Sequence, residues 1–208
     1  MAETEPRAAE LTLYAIIHAS DGGPFARTRR PSLVEACGLA ALVGRPISRG
    51  DVAARALAHD AIVRRAVEAC SSVIPFRYGV TLPSREAVAR LLEQSHGALL
   101  RTLSRFRRRV EVGVKVRLPS AEADARLGAS LAGVRALCPS PADRRERVRE
   151  AGGRRVFDGA YLIARDDVEG FWSAVAEARR REPSFPMLSM GPWAPYSFCA
   201  PLAGEGLS

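Results

Sequence analysis

The segment Arg109–Leu118, RVEVGVKVRL, decides the interpretation of this 208-residue chain. Four valines and a leucine alternate in it with charged residues or glycine. Because successive side chains of a β-strand point to opposite faces, the alternation predicts a strand with one dry face and one polar face. A helix that could pack on such a sheet is predicted upstream, where apolar residues recur on one face.

The sequence before this strand predicts further strands and helices. The predicted elements are a strand over 11–18, a hairpin over 33–43 around Cys37-Gly38, a helix over 52–69 capped by Asp51 with Val52 and His59 on its apolar face, a short strand over 73–76 interrupted by Pro75, and one helix that is capped by Ser84 and ends in an arginine cluster after Phe106. They describe a first α+β domain, expected over residues 1–118.

The sequence after Leu118 predicts a second α+β domain over residues 119–208, which ends in an aromatic tail. It is expected to contain an amphipathic helix over 127–137, a charged stretch over 142–155 that is a solvated helix or a loop, a strand over 160–164, a helix capped by Asp166 with Glu169 in a capping box, and a strand over 187–190. The fold class is therefore α+β, with two small domains whose sheets are mixed or antiparallel and carry packed helices.

Composition excludes several classes of protein. Hydrophobic residues are 47% and charged residues 26% of the chain, which is typical of globular proteins. No apolar run reaches the roughly 18 residues of a membrane span, and residues 1–10 do not resemble a secretory signal. We therefore expect no contact with a membrane.

The formal charge of +8 suggests binding to nucleic acid. Lys115 is the only lysine among 31 basic residues, which is more typical of a biased codon usage than of a binding face. The arginine runs over 101–109 and 144–149 contain one aromatic residue between them, Phe106, although bases would stack on interleaved rings. Nucleic acid is thus an unfavoured partner.

We predict no catalytic, cofactor or metal site. His59 lies on an apolar helix face without a second ligand at helical spacing, so a buried, hydrogen-bonded histidine is favoured over a base or a ligand. The four cysteines lack the paired spacing of zinc or iron–sulfur sites and are expected to be reduced. No glycine-rich phosphate loop is present.

The tail is the most unusual stretch of the chain. Its prolines, Pro192 and Pro195, are expected to prevent regular strand pairing, and it carries three large rings, Trp193, Tyr196 and Phe198. Such a segment is stabilised only by docking on apolar surface, either its own or a partner's. We favour docking on its own domain.

Several separated segments together resemble one family, the gas vesicle proteins GvpF and GvpL. They occur in the family's order and are Leu13–Ile17, Leu39–Val43, His59, Val73–Gly79 with its Pro-Phe-Arg-Tyr-Gly turn, Val112–Val116, Ala160–Ile163, and the Gly-Pro-Trp ending with Pro-Tyr-Ser-Phe. Two features depart from the family's pattern. Ala194 replaces a proline, and the segment between Leu118 and Ala160 is shorter than usual.

The resemblance implies a non-enzymatic accessory or minor structural protein that acts in gas vesicle assembly in the cytoplasm. It also implies two α+β domains, one of them ferredoxin-like, and contacts with the shell protein GvpA and other gas vesicle proteins. Candidate contact or structural residues are Pro75, Phe76, Arg77, Gly79, Lys115, Gly191, Pro192, Trp193, Tyr196 and Phe198. A basic nucleic-acid-binding module and, more remotely, a Cys/His enzyme are the alternatives.

Overall fold

The computed structural model describes residues 10–26, 28, 30–46, 50–119, 123–151 and 154–199. These residues form two compact units. The first contains the described residues up to Arg107 together with Cys199, and the second is Arg108–Phe198. Each unit has its own antiparallel sheet with helices, so the predicted α+β class is confirmed.

The first unit is built on a five-stranded sheet in the order β2-β3-β1-β4, with β5 also paired to β1. Its strands are β1 (Leu11–His18), β2 (Ser32–Ala36), β3 (Leu39–Gly44), β4 (Ile74–Pro75) and β5 (Thr81–Leu82). Its helices are α1 (Gly23–Ala26), α2 (Val52–Ala69), α3 (Arg85–Gln94) and α4 (His96–Phe106). β1 and β3 are almost entirely buried, as expected for central strands of a covered sheet.

Local sequence signals account for several element boundaries in this unit. The β2–β3 hairpin turns through Cys37 and Gly38, whose φ angles of 50° and 75° fit the left-handed turns that join hairpin strands. The Asp51 carboxylate accepts the amide of Ala54 at 2.8 Å and begins α2 as predicted. The Ser84 hydroxyl accepts the amide of Ala87 and begins α3.

Two helix predictions need correction. Val52, expected on the buried face of α2, is 62% exposed, and Leu57, five residues further along the helix, is 69% exposed. The buried face begins only at His59, because the first two turns of α2 extend beyond the core. The predicted helix from Ser84 to Phe106 is interrupted at Ser95, where ψ is 6°, giving α3 and α4. Serine and glycine around this point disfavour helix continuation.

The second unit follows the order β-α-β-β-α-β. Its strands are β6 (Arg109–Leu118), β7 (Arg144–Ala151), β8 (Arg154–Ala164) and β9 (Met187–Trp193), and its helices are α5 (Ala123–Ser130), α6 (Ala132–Ala136) and α7 (Val168–Arg181). The antiparallel sheet has the order β7-β8-β6-β9. This topology is the expected ferredoxin-like arrangement.

The boundary between the two units lies after Arg107 and not after Leu118, where the sequence predicted it. β6 pairs with β8 along its whole length, from Arg109 opposite Ala164 to Leu118 opposite Arg155. Since β6 also pairs with β9, it is an inner strand of the second sheet and not the end of the first unit.

The helices of the second unit cover one face of its sheet. Tyr161 of β8 packs on Phe171 of α7 with ring centroids 6.1 Å apart, and Arg179 of α7 donates to Ser189 of β9 at 3.0 Å. Tyr161 is paired with Val112 of β6, and Ser189 is paired with Val114. The valines therefore line the helix-covered face.

Three further predictions for this unit were wrong. The charged stretch expected to be a solvated helix or a loop forms β7 and the start of β8. β7 is a strand because it pairs with β8, which supplies the apolar surface that the sequence of β7 lacks. The helix over 127–137 is divided at Leu131 into α5 and α6. Asp166 does not cap α7; it lies in a 3-10 turn, and Asp167 precedes the helix without a side-chain cap bond.

Within the described ranges, no helix is both long enough and apolar enough to cross a membrane.

Candidate functional site

The segment after β9 is fixed to the second sheet by Glu111. This carboxylate is 7% exposed and accepts the amide of Ser197 at 2.8 Å and its hydroxyl at 2.7 Å. Hydrogen bonds to an ionised group are about twice as strong as neutral ones. The two hydrogen bonds from Ser197 to Glu111 hold the 3-10 turn Tyr196–Phe198 against β6.

The three rings of the tail have different surroundings. Phe198 is 4% exposed, and the Arg145 guanidinium carbon lies 5.5 Å from its ring centroid, within the range of a cation–π contact. Tyr196 is half-buried, whereas Trp193 is 41% exposed. The tail therefore docks on its own unit, as favoured from the sequence, but chiefly through Phe198 and Ser197 and not through all three rings.

Strand pairing becomes irregular at Pro192, as predicted, but it does not end there. β9 continues through Pro192 to Trp193, which lies opposite Glu111 after an irregularity in the register between Glu111 and Gly113. At the bend, Gly191 has a φ of 105°, and a Cβ there would come within 2.8 Å of the Glu111 carbonyl oxygen. Only glycine permits this close approach.

Lys115 lies on the sheet face opposite the helices of the second unit. It is half-buried and is paired across the sheet with Asp158 of β8 and Leu188 of β9. The Asp158 carboxylate accepts Arg147 at 3.1 Å and lies 3.8 Å from the Nε of Arg149. Lys115 is thus the cross-strand neighbour of a carboxylate that two arginines approach.

The Pro-Phe-Arg-Tyr-Gly turn lies in the first unit. Pro75 pairs with Ala15, and the buried Phe76 donates its amide to the Tyr14 carbonyl at 2.9 Å. Arg77 is exposed, and Gly79 has a φ of 100°, a conformation that favours glycine. The turn therefore presents Arg77 on a fixed backbone.

His59 attaches this turn to α2. Its Nε2 lies 2.7 Å from the Phe76 carbonyl, which can only accept, so Nε2 carries the proton. The ring centroids of Tyr14 and Tyr78 lie 4.9 and 5.9 Å away. Burial lowers the pKa of His59, against the opposing effects of the Phe76 carbonyl and Asp60. A neutral histidine among aromatic rings is the structural histidine favoured from the sequence.

The candidate residues therefore belong to both units. The turn residues Pro75, Phe76, Arg77 and Gly79 belong to the first unit, and Lys115 and the tail residues belong to the second. Glu111, which anchors the tail, was missed because it was read only as part of the polar face of its strand. A carboxylate between two valines was the available signal, but its partner Ser197 is 86 residues away.

The four cysteines all lie within the described residues and form no disulfide. Cys70 and Cys138 are buried, Cys199 is half-buried and Cys37 is exposed. Burial, with a smaller contribution from Asp143, raises the pKa of Cys138 to about 11. The Cys138 thiol donates to the Leu162 carbonyl at 3.4 Å, as a small core residue does.

Three arginines of the run over 101–109, which suggested nucleic acid, make contacts within the chain. Arg109 pairs with Asp143 at 2.6 Å, and Arg108 pairs with Asp166 at 3.2 Å. Arg105 lies over the Phe106 ring at 5.9 Å. These contacts explain part of the arginine content without a polyanionic partner.

Comparison with known proteins gives consistent similarities. The family described as gas vesicle synthesis protein GvpL/GvpF matches residues 11–150 and 135–200. Gas vesicle protein L of Streptomyces sp. (strain CB03234) is 30% identical, over 69% of this chain and 68% of that protein. Gas vesicle protein F2 of Halobacterium salinarum (strain ATCC 700922 / JCM 11081 / NRC-1) is 25% identical, over 68% and 66%.

Two crystal structures share the fold. GvpF from Anabaena sp. PCC7120 superposes with a TM-score of 0.70 at 16% identity, over 91% of this chain and 98% of that one. GvpF from Microcystis aeruginosa gives the same TM-score and the same coverage at 15% identity. At this identity the likeness concerns the fold alone.

Proposed function

Because this chain belongs to the gas vesicle synthesis protein GvpL/GvpF family, we propose that it is a non-enzymatic accessory or minor structural protein that supports gas vesicle assembly. It acts in the cytoplasm, at the growing vesicle, by contacting the shell protein GvpA and other gas vesicle proteins. The observation that carries this proposal is the family match, which includes both compact units.

The structure supports a role in protein contact through its exposed apolar side chains. Trp193 is 41% exposed beside the anchored tail, and Val52 and Leu57 project from the first turns of α2. Aromatic side chains are enriched at the centres of protein interfaces. A shell subunit that exposes apolar surface before assembly would be covered by contacts of this kind.

Among the candidate residues, we assign contact with partners to Trp193 and Arg77. Both are exposed, and both stand on backbone that is fixed by buried neighbours. Pro75, Phe76, Gly79, Gly191, Pro192, Tyr196 and Phe198 shape the two supporting segments. Lys115 belongs to the charged face of the second sheet.

The test is deletion of the gene in a vesicle-forming host, followed by complementation with the wild-type chain or with Trp193→Ala. Loss of vesicles on deletion, seen by electron microscopy, and their return with the wild type support the proposal. Pull-down of the shell protein by the wild-type chain tests the contact itself. Normal vesicles in the deletion strain, together with no capture of any gas vesicle protein, would overturn it.

A further inference from the structure

One face of the second sheet carries an excess of positive charge. We give the name basic strand face to six residues of the face opposite the helices: Lys115, Arg117, Arg147, Arg149, Asp158 and Leu188. The register places them together, because Asp158 is paired with both Lys115 and Arg147, and Leu188 is paired with Lys115. Val156, next but one to Asp158 along β8, is paired with both Arg117 and Arg149.

The charges of this face do not cancel. Asp158 supplies the one carboxylate among these six residues, against four cationic side chains, and its own side chain is only 19% exposed. The other carboxylate of this face, Glu111, already accepts two hydrogen bonds from Ser197. The side chains of Arg147 and Arg149 remain 71% and 44% exposed while they approach that carboxylate. Leu188 adds an apolar side chain that is 58% exposed beside Lys115.

The spacing of the cations is regular. Arg147 and Arg149 occupy alternate positions of β7, so their Cα atoms stand about 7 Å apart along the strand. An extended peptide places every second side chain on one side with the same repeat. Arginine also binds carboxylates through paired hydrogen bonds.

We propose that the basic strand face binds an acidic segment of a partner protein, in extended conformation, with carboxylates at alternate positions. A single-stranded nucleic acid is the less suitable occupant, because bases require interleaved aromatic platforms, and the exposed ring of this face, Trp193, lies opposite Glu111, four residues from Lys115 along β6. The inference deepens the proposed function, on which it rests, since the segment would belong to a gas vesicle protein.

The test measures binding of a synthetic peptide of alternating glutamate and threonine to the full chain by fluorescence anisotropy. The wild type is expected to bind it, and the double variant Arg147→Glu/Arg149→Glu to bind at least about tenfold more weakly. The control, Arg64→Glu/Arg101→Glu, makes the same change of net charge at exposed positions of α2 and α4. It is expected to stay within about twofold of the wild type.

Three outcomes would overturn the inference: no binding by the wild type, equal weakening by both double variants, or tighter binding of an oligonucleotide than of the peptide at about 150 mM salt. If the charge-reversed chain fails to fold by circular dichroism, Arg147→Gln/Arg149→Gln replaces it, with an expected loss of about fivefold.

Failure here is separable from failure of the proposed function. A chain that captures gas vesicle proteins but ignores the peptide refutes only the basic strand face. A chain that binds the peptide but neither restores vesicles nor captures any gas vesicle protein refutes the proposed function.

Discussion

Phe198→Ala and Trp193→Ala, which each remove one of the three rings of the tail, should give very different losses of stability. Phe198 is 4% exposed, and burying such a ring contributes about 1.5–3 kcal/mol. Phe198→Ala also leaves a cavity and removes the contact with Arg145, which brings typical losses to about 3–5 kcal/mol. Trp193→Ala removes a larger ring, but one that is 41% exposed, and should cost about 1 kcal/mol.

The loss for Phe198→Ala should fall at the lower end of its range, near about 3 kcal/mol. The turn that carries this ring is only three residues long, so its backbone can adjust to the cavity that the substitution leaves. The two hydrogen bonds from Ser197 to Glu111 still attach the turn to β6. Removing the ring should therefore also increase local opening of the segment.

The assay is urea unfolding of the full chain followed by circular dichroism, with hydrogen exchange at the Ser197 amide as the local probe. The midpoint should fall clearly for Phe198→Ala and slightly for Trp193→Ala, with similar slopes. Exchange at Ser197 should accelerate only in the first variant. Equal losses, or a larger loss for Trp193→Ala, would refute the assignment of the anchor to Phe198.

Three other predictions concern groups with altered pKa values or burial. The pKa of His59 is lowered in the folded chain, so on acidification the unfolded chain takes up the proton first. The free energy of unfolding should therefore decrease as pH falls below about 6.5. His59→Gln should flatten this dependence of stability on pH, and an unchanged dependence contradicts the assignment. Ellman's reagent should label Cys37 rapidly and Cys138 only after denaturation, so equal rates in the native chain would be inconsistent with its burial. Tyr161→Phe should cost about 1–2 kcal/mol because it removes the 2.8 Å hydrogen bond to Glu146. Burial opposes ionisation of Glu146, but Arg135 and Tyr161 outweigh it and lower its pKa; stability from this group is lost on acidification, and the loss should be smaller in the variant.

Local patterns predicted the elements that local forces determine. The alternation in β6, the turn at Cys37-Gly38 and the Asp51 cap each depend on residues within a few positions of one another, and all three were found as expected. The resemblance to a known family also predicted the ferredoxin-like unit, although the boundary had to move to Arg107.

Features that depend on distant residues were missed. β7 reads as a solvated charged stretch, since the contacts that make it a strand come from β8 and from α6, where Arg135 binds Glu146. The bond between Glu111 and Ser197 joins residues 86 positions apart, and no local pattern indicates it. Exposure of Val52 likewise depends on where the core ends and not on helical periodicity.

The arginine-rich edge strand β7 also limits how copies of this protein can pair with one another. β7 ends its sheet and carries four arginines against two glutamates. Two identical copies that met along this strand would place guanidinium groups beside one another, and like charges opposite each other destabilise strand pairing. Pairing of two copies through this edge is thereby disfavoured.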